Sequence, residues 1–336
     1  LNKNDPELYK GRDPRASVME NIVKTIDLAI EYLPVKTKVY RISRDAALLL
    51  KARICLYEGT YRRYRNLEGD AEYLKLAYEA AGALMDMGHS LYKSATPEQS
   101  YFDLFIQDKY DTNPEVILAR EYDASINMGN NVSNSIPGAI MGMSRDCFEE
   151  YLCATTGKPI SQCGCHNPDM GQIQEMENRD GRLLQTVCLP KAGEYSRYLF
   201  REVNGVMTGG ASSIFGLLEG TEKKPFYGTS STGYAIAKFY KASEHAVGNH
   251  KGSIDAPVMR YAEALLIRAE AGAELGKDPE LDKTVNALRS RVGFSHKLTM
   301  EPDEDPDLVA KYPNVTGPNA NLIREIRRER RIELCA

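Results

Sequence analysis

The sequence has no tryptophan, against 20 tyrosines and 8 phenylalanines. Any flat aromatic surface for stacking on a ligand must therefore be built from Tyr or Phe. No apolar run reaches the roughly 18 residues that a membrane-spanning helix needs, and no signal-peptide pattern is present. The chain opens on Leu1-Asn2-Lys3-Asn4-Asp5 and stops inside an apparent helix at Ala336, so it reads as an interior piece of a longer protein. A net charge of -4 excludes a nucleic-acid-binding role for the chain as a whole. The five histidines (His89, His166, His245, His250, His296) are scattered. There is no G-x-S-x-G, no H-E-x-x-H and no phosphate-cradling P-loop, and nothing sets two carboxylates across a cleft. The expectation is a protein that is not an enzyme and needs no cofactor.

What is present is helical periodicity at both ends. Val18, Ile22, Ile26, Ala29, Ile30 and Leu33 mark one face of a first helix from Arg15, ended by Pro34. A second is expected from about Ser43 to Tyr57 with Gly59 as its stop, and a third from about Asp70 to Met87, stopped by Gly88. Pro257 to Phe294 reads as a helical hairpin: Val258, Tyr261, Ala262, Leu265, Leu266, Ala269 and Ala273, a stop at Gly276, then a short helix with Leu281, Val285, Leu288 and Val292. Its length of about 34 residues is that of a tetratricopeptide unit. With Gly59 set on Gly276, Ala47-Leu48-Leu49-Leu50-Lys51-Ala52 falls on Ala264-Leu265-Leu266-Ile267-Arg268-Ala269. Repeated hairpins that bury their faces against one another imply a single helical scaffold, residues 15–88 and 257–335, interrupted by a long insertion. A last helix from Asn321 carries five arginines between Arg324 and Arg331, spaced to pair within the helix with Glu325, Glu329 and Glu333.

The insertion, residues 89–256, is rich in Gly, Asn, Ser, Pro and Tyr, with short strand-like runs such as Glu115-Val116-Ile117-Leu118 and Tyr198-Leu199-Phe200. Its Tyr, Phe and Leu content predicts a folded, loop-rich body rather than a linker. Insertions into helical repeats gather on one face, often the binding face. A saccharide site needs flat apolar faces for C–H surfaces, with amides for hydroxyls. Tyr195, Tyr198 and Tyr227, with Asn130 and Asn131, are the candidate ligand-binding set; for any single tyrosine the alternative is a core position.

Five phrases, in order, carry a resemblance. They are Glu7-Leu8-Tyr9-Lys10-Gly11-Arg12-Asp13-Pro14-Arg15 with Leu33-Pro34; Ala47 to Gly59; and Asn113-Pro114-Glu115-Val116-Ile117-Leu118. Then follow Gly157-Lys158-Pro159-Ile160 with Asn178-Arg179-Asp180-Gly181-Arg182-Leu183, and a final set of Thr232-Gly233-Tyr234, Lys238, Arg260-Tyr261-Ala262-Glu263-Ala264-Leu265-Leu266, Asn286, Arg289, Arg291 and Glu329-Arg330-Arg331-Ile332-Glu333-Leu334. In this the chain resembles the SusD/RagB family of surface nutrient-binding lipoproteins of Bacteroidetes. The resemblance implies a mostly α, SusD-like fold of tetratricopeptide-type hairpins forming a scaffold, with a large loop-rich insertion containing short strands. It implies a single domain over 1–336, and regions before Glu7 and after Leu334 that this stretch lacks. It further implies non-catalytic capture of an oligosaccharide or polysaccharide at the cell outer membrane. Delivery would be to a SusC-like TonB-dependent transporter, with membrane attachment through an N-terminal lipid anchor outside this piece. Capture of peptides, as in RagB-like relatives, and a protein–protein scaffold are the alternatives. The absence of Trp departs from many glycan-binding relatives.

Five of the seven cysteines fall between Cys147 and Cys188: Cys147, Cys153, Cys163, Cys165 and Cys188. Cys163-Gly164-Cys165-His166 could hold zinc, but ligands one residue apart are awkward for a closed tetrahedral site. For an exported protein, one or two disulfides are the favoured reading, and no metal site is assigned.

Overall fold

The computed structural model describes residues 3–96, 99–138, 142–166, 172–187, 201–203, 206–208, 232, 234–245 and 247–335. Six helices form the scaffold: α1 (Arg15–Tyr32), α2 (Arg44–Arg63), α3 (Asp70–Met85), α4 (Tyr261–Leu275), α5 (Val285–Arg291) and α6 (Ala320–Leu334). Helix α1 stops where Leu33 turns extended ahead of Pro34, the conformation a residue before proline prefers. Helix α4 is the centre. It is buried almost all round, because α2 and α3 cover one side and α6 the other. Its small residues permit this: a Cβ on Gly272 would lie 3.1 Å from the Tyr78 ring and 3.0 Å from the Asp278 carbonyl oxygen. Gly276 ends the helix in the left-handed region, at φ 66°.

Two expectations are corrected. Gly59 does not stop α2, which runs on to Arg63; it is where α2 and α3 touch. A Cβ there would stand 2.6 Å from Leu74 Cγ and 2.9 Å from the Leu74 backbone nitrogen. Gly59→Val should therefore force the two helices apart and cost about 1–3 kcal/mol in a denaturant titration. In addition, the first residues of the expected 257–275 helix are a strand. Strand β4 (Ala256–Arg260) pairs antiparallel with β1 (Val116–Arg120), Val116 opposite Arg260 and Arg120 opposite Ala256. Val258 faces out, half exposed, so it belongs to the strand rather than to the helix stripe. A second hairpin pairs β2 (Arg201–Val203) with β3 (Val206–Thr208).

Two further apolar clusters lie under the insertion. One joins Tyr101, Phe105, Tyr110 and Val116 to Val292 and Phe294. The other gathers Met143, Phe148, Tyr151, Met176, Leu183 and Tyr234 around Ile332 of α6. Each cluster takes a residue from the scaffold, so burying the insertion's own core also docks it.

Between scaffold and insertion lies a buried network of charge. Glu333 of α6 accepts two hydrogen bonds from Arg291 (both 2.7 Å), one from Arg260 (3.1 Å) and one from Arg182 (3.3 Å). Glu115 accepts from Arg260 (2.7 Å) and Arg291 (3.1 Å). Glu329 accepts from Arg289 (2.7 Å) and Arg182 (2.9 Å), and Arg182 also binds Asp180 (2.6 Å). Arg182, Arg291, Glu115, Asp180, Glu329 and Glu333 have fully buried side chains. The four guanidiniums and four carboxylates balance, the condition under which burying them is tolerable. Lys238 closes one edge, its Nζ 3.0 Å from the Tyr101 hydroxyl and bonded to the Cys335 carbonyl; burial, reinforced by Arg260, pushes its ammonium down to about 7.

The intrahelical pairing expected for α6 is thus largely replaced by contacts to other elements. Arg328–Glu325 (2.8 Å) is a pair of the expected kind. Arg327 and Arg330 instead reach Glu270 of α4 (2.9 and 3.0 Å), and Arg331 reaches Asp146 (2.5 Å). A helix this charged can be buried only because neighbouring elements supply the counter-charges. Among the described residues no helix is long and apolar enough to cross a membrane.

Candidate functional site

The insertion's described surface loops are sewn together by amides. Asn130 and Gly252 exchange backbone hydrogen bonds (2.8 and 3.1 Å). The Asn130 Nδ2 donates to the Ile254 carbonyl (2.8 Å), and its Oδ1 accepts from the Val132 N–H (3.0 Å) at the start of the helix Val132–Gly138. Asn131 Oδ1 accepts from the His250 N–H (3.0 Å), and its Nδ2 donates to the Ser135 hydroxyl (3.1 Å). The approach of these loops is close: a Cβ on Gly129 would lie 2.3 Å from the His250 carbonyl oxygen. Behind them Asp255 accepts from the Tyr40 hydroxyl (2.6 Å) and the Tyr122 N–H (2.7 Å), and burial holds its carboxyl above the usual range. Asn130 and Asn131 are therefore adjacent and half-buried, with both side-chain amides engaged inside the loop pair. Tyr195, Tyr198 and Tyr227 lie outside the described residues, as does the expected strand at Tyr198-Leu199-Phe200.

A cleft of ≈ 730 Å³ opens where the insertion meets the short helix Pro306–Lys311. Pro159, Ile160 and Leu308 give it apolar walls, and Arg145, Glu175 and Lys311 give it polar ones. Arg145 binds Glu149 (2.5 Å) and Glu175 (2.9 Å) and donates to the Tyr234 hydroxyl (2.7 Å). Hydrogen bonds from Lys311 and Arg331 hold the Asp146 carboxyl below its usual range, the opposite of what a glycosidase acid requires. The arrangement can bind hydroxyls through fixed charges. No Phe or Tyr is among the described residues that line it, and His166 is the one ring there, so it lacks the broad flat face of a stacking platform.

The six described cysteines are free thiols, which corrects the expected disulfides. Cys147 faces Cys335 at 3.7 Å rather than a neighbour in the cluster. Cys153, Cys163 and Cys165 converge on one another, and Cys188 lies outside the described residues.

A sequence model of the SusD family matches residues 86–336. The chain belongs to the SusD family. Its fold is similar to those of several solved structures. A SusD-like carbohydrate binding protein from Bacteroides fragilis is 22% identical at a TM-score of 0.63, with 96% of this chain and 56% of that one covered. A SusD-like protein from the same organism is 21% identical at 0.66, with 100% and 60% covered. A structure with xylogluco-oligosaccharide is 17% identical at 0.58, with 99% and 58% covered. The chain thus spans between 56% and 60% of these proteins' lengths. No curated protein matches it in sequence.

Membership of the SusD family gives the buried network its meaning. Glu115, Asp180, Arg182, Lys238, Arg260, Arg289, Arg291, Glu329 and Glu333 all lie in the phrases that carried the resemblance, and all meet at the junction. The family signature in this chain is in large part a clamp between scaffold and insertion. Sequence reasoning missed this because the partners lie up to 218 positions apart, as Glu115 and Glu333 do across Arg260 and Arg291. The one available signal was buried-type context around each charge, such as Glu333 between Ile332 and Leu334.

Proposed function

We propose that this SusD-family chain is a non-catalytic glycan-binding protein of the cell surface. It captures an oligosaccharide or polysaccharide on the loop-rich face, residues 89–256, and hands it to a SusC-like TonB-dependent transporter in the outer membrane. An N-terminal lipid anchor holds it there. The observation that carries this reading is family membership, joined to similar folds that include a carbohydrate binding protein and a structure with xylogluco-oligosaccharide. The chemistry of capture is modest: it requires stacking and hydrogen bonds but no reacting group. Without Trp, the stacking faces are assigned to Tyr195, Tyr198 and Tyr227, with Asn130 and Asn131 in the same ligand-binding set.

The test is a glycan array with a peptide pool beside it, followed by product analysis of any glycan bound. Binding of a glycan without cleavage is the expected result. Binding of peptides alone, or of neither, would overturn it. On the glycan so found, the Tyr195→Ala, Tyr198→Ala and Tyr227→Ala triple variant should bind at least about tenfold more weakly, at roughly 0.5–1.5 kcal/mol per aromatic contact. Its melting temperature should be unchanged; a collapse in stability would place these tyrosines in the core instead.

A further inference from the structure

The thiols that pair in no disulfide stand in a particular geometry. The sulfurs of Cys153, Cys163 and Cys165 all lie within 4.8 Å of one another. His166 stands beside one of them, Nδ1 3.1 Å from Cys163 Sγ, and outside the mutual approach of the three sulfurs. Its other ring nitrogen, Nε2, is 3.2 Å from the Glu177 carbonyl oxygen. A carbonyl can only accept, so Nε2 carries the proton and Nδ1 turns a free lone pair towards the thiols. A metal-ligating imidazole is oriented in this way, its remote N–H fixed by a backbone carbonyl.

The backbone prepares the same arrangement. Gly164 adopts φ +68°, a left-handed turn that folds Cys165 back towards Cys163. The Cys165 N–H then donates to Cys163 Sγ at 3.3 Å, a bond that favours a negatively charged sulfur. Cys153 is fully buried and fixed by backbone pairing with Arg179 and by its N–H bond to the Lys158 carbonyl (2.9 Å). The buried guanidinium of Arg179 donates to the carbonyls of Phe148, Tyr151 and Glu175, which leaves a positive charge beside the thiols.

We propose that Cys153, Cys163, Cys165 and His166 form a Cys₃His structural site for zinc. Soft thiolates with one imidazole are a zinc-type donor set. With Zn–S bonds of about 2.3 Å, the sulfurs of a tetrahedral site stand about 3.8 Å apart, near the spacing of these three, and His166 would have to move in from Cys163 to supply the fourth ligand. Binding releases the three thiol protons to solvent. Three thiolates and one dication leave a charge of -1, which Arg179 offsets. A disulfide would use two of these sulfurs and leave the third thiol and the oriented imidazole without a role. The site would also have a structural consequence, since Pro159, Ile160, Ser161 and His166 of the same loop wall the ≈ 730 Å³ cleft. Zinc would fix that wall to the segment that carries Glu177 and Arg179.

The test uses the protein purified under reducing, metal-free conditions and titrated with zinc, then with cobalt(II) as a spectroscopic probe. One equivalent should bind, and the cobalt form should show thiolate charge-transfer and tetrahedral ligand-field bands. Cys163→Ser with Cys165→Ser should abolish the bands, His166→Ala should weaken zinc binding at least tenfold, and Cys335→Ser should change neither. Failure of the reduced wild-type protein to bind an equivalent, or cobalt bands without thiolate charge transfer, would overturn the proposal. So would alkylation mapping that finds two of the three sulfurs disulfide-bonded in the protein as secreted, with no metal present. The wild-type measurements decide the matter even if a variant fails to fold.

Discussion

Replacing Glu333 by alanine is expected to destabilise the protein by about 3–5 kcal/mol, the largest effect of any single substitution considered. Its side chain is fully buried and accepts from three guanidiniums, those of Arg291, Arg260 and Arg182. Deleting it leaves a net positive charge in the interior, where water cannot compensate. The loss is bounded because each arginine keeps another partner: Arg291 and Arg260 keep Glu115, and Arg182 keeps Asp180 and Glu329. Urea unfolding followed by circular dichroism should show a lower midpoint at an unchanged slope. A loss below about 1 kcal/mol would mean that the network is ornamental to stability.

Acid should act on the same residue. Burial alone pushes the Glu333 carboxyl up, but the guanidiniums of Arg291, Arg260 and Arg182 outweigh it and bring it from 4.5 down to about 2. A carboxyl whose folded value is depressed contributes stability that is fully present above its unfolded value. That stability is lost as the pH falls through the folded one. The window therefore runs from about pH 4.5 to about pH 2, and the contribution at neutral pH is on the order of 3 kcal/mol. Unfolding free energies measured across this window should fall steeply for the wild type and less steeply for Glu333→Ala. Parallel slopes would show that other carboxyls carry the acid sensitivity.

The helical scaffold was legible because its signals are local. Ile26 buries one side of α1 as expected, but Met19 takes the place of Val18, which is exposed; Leu74, Ala77 and Leu84 bury one side of α3, and the positive φ of Gly276 and Gly88 stands where the pattern ends. Gly59 misled for a physical reason: a glycine that ends a helix and one that admits a neighbouring helix look identical until Leu74 is in place. Pro257 to Arg260 was misassigned because an apolar residue at position 258 suits a helix stripe or a strand alternation equally, and only β1 decides between them. The arginines of α6 were recognised as structural charges, yet their partners Glu270, Asp146 and Asp305 are supplied by distant segments. At the site the Asn130–Asn131 loop was readable from its Gly, Ser and Asn content. That its amides turn inward to the 248–254 loop was not, since nothing near residue 130 names residue 250. The cysteine cluster was conspicuous in sequence, but the choice between metal and disulfide depends on the ring orientation set by the Glu177 carbonyl.

In this SusD-family chain the motif residues meet in a buried clamp, and that clamp carries the account of the fold. The clamp is the part of that account most open to direct attack, through a double-mutant cycle between Arg291 and Glu333. Arg291→Met, Glu333→Gln and the pair would be compared by urea unfolding at neutral pH. The account predicts a coupling of at least about 2 kcal/mol, with the double variant more stable than the single losses would sum to. Single losses that add to within about 0.5 kcal/mol would contradict it, because the two residues would then act independently.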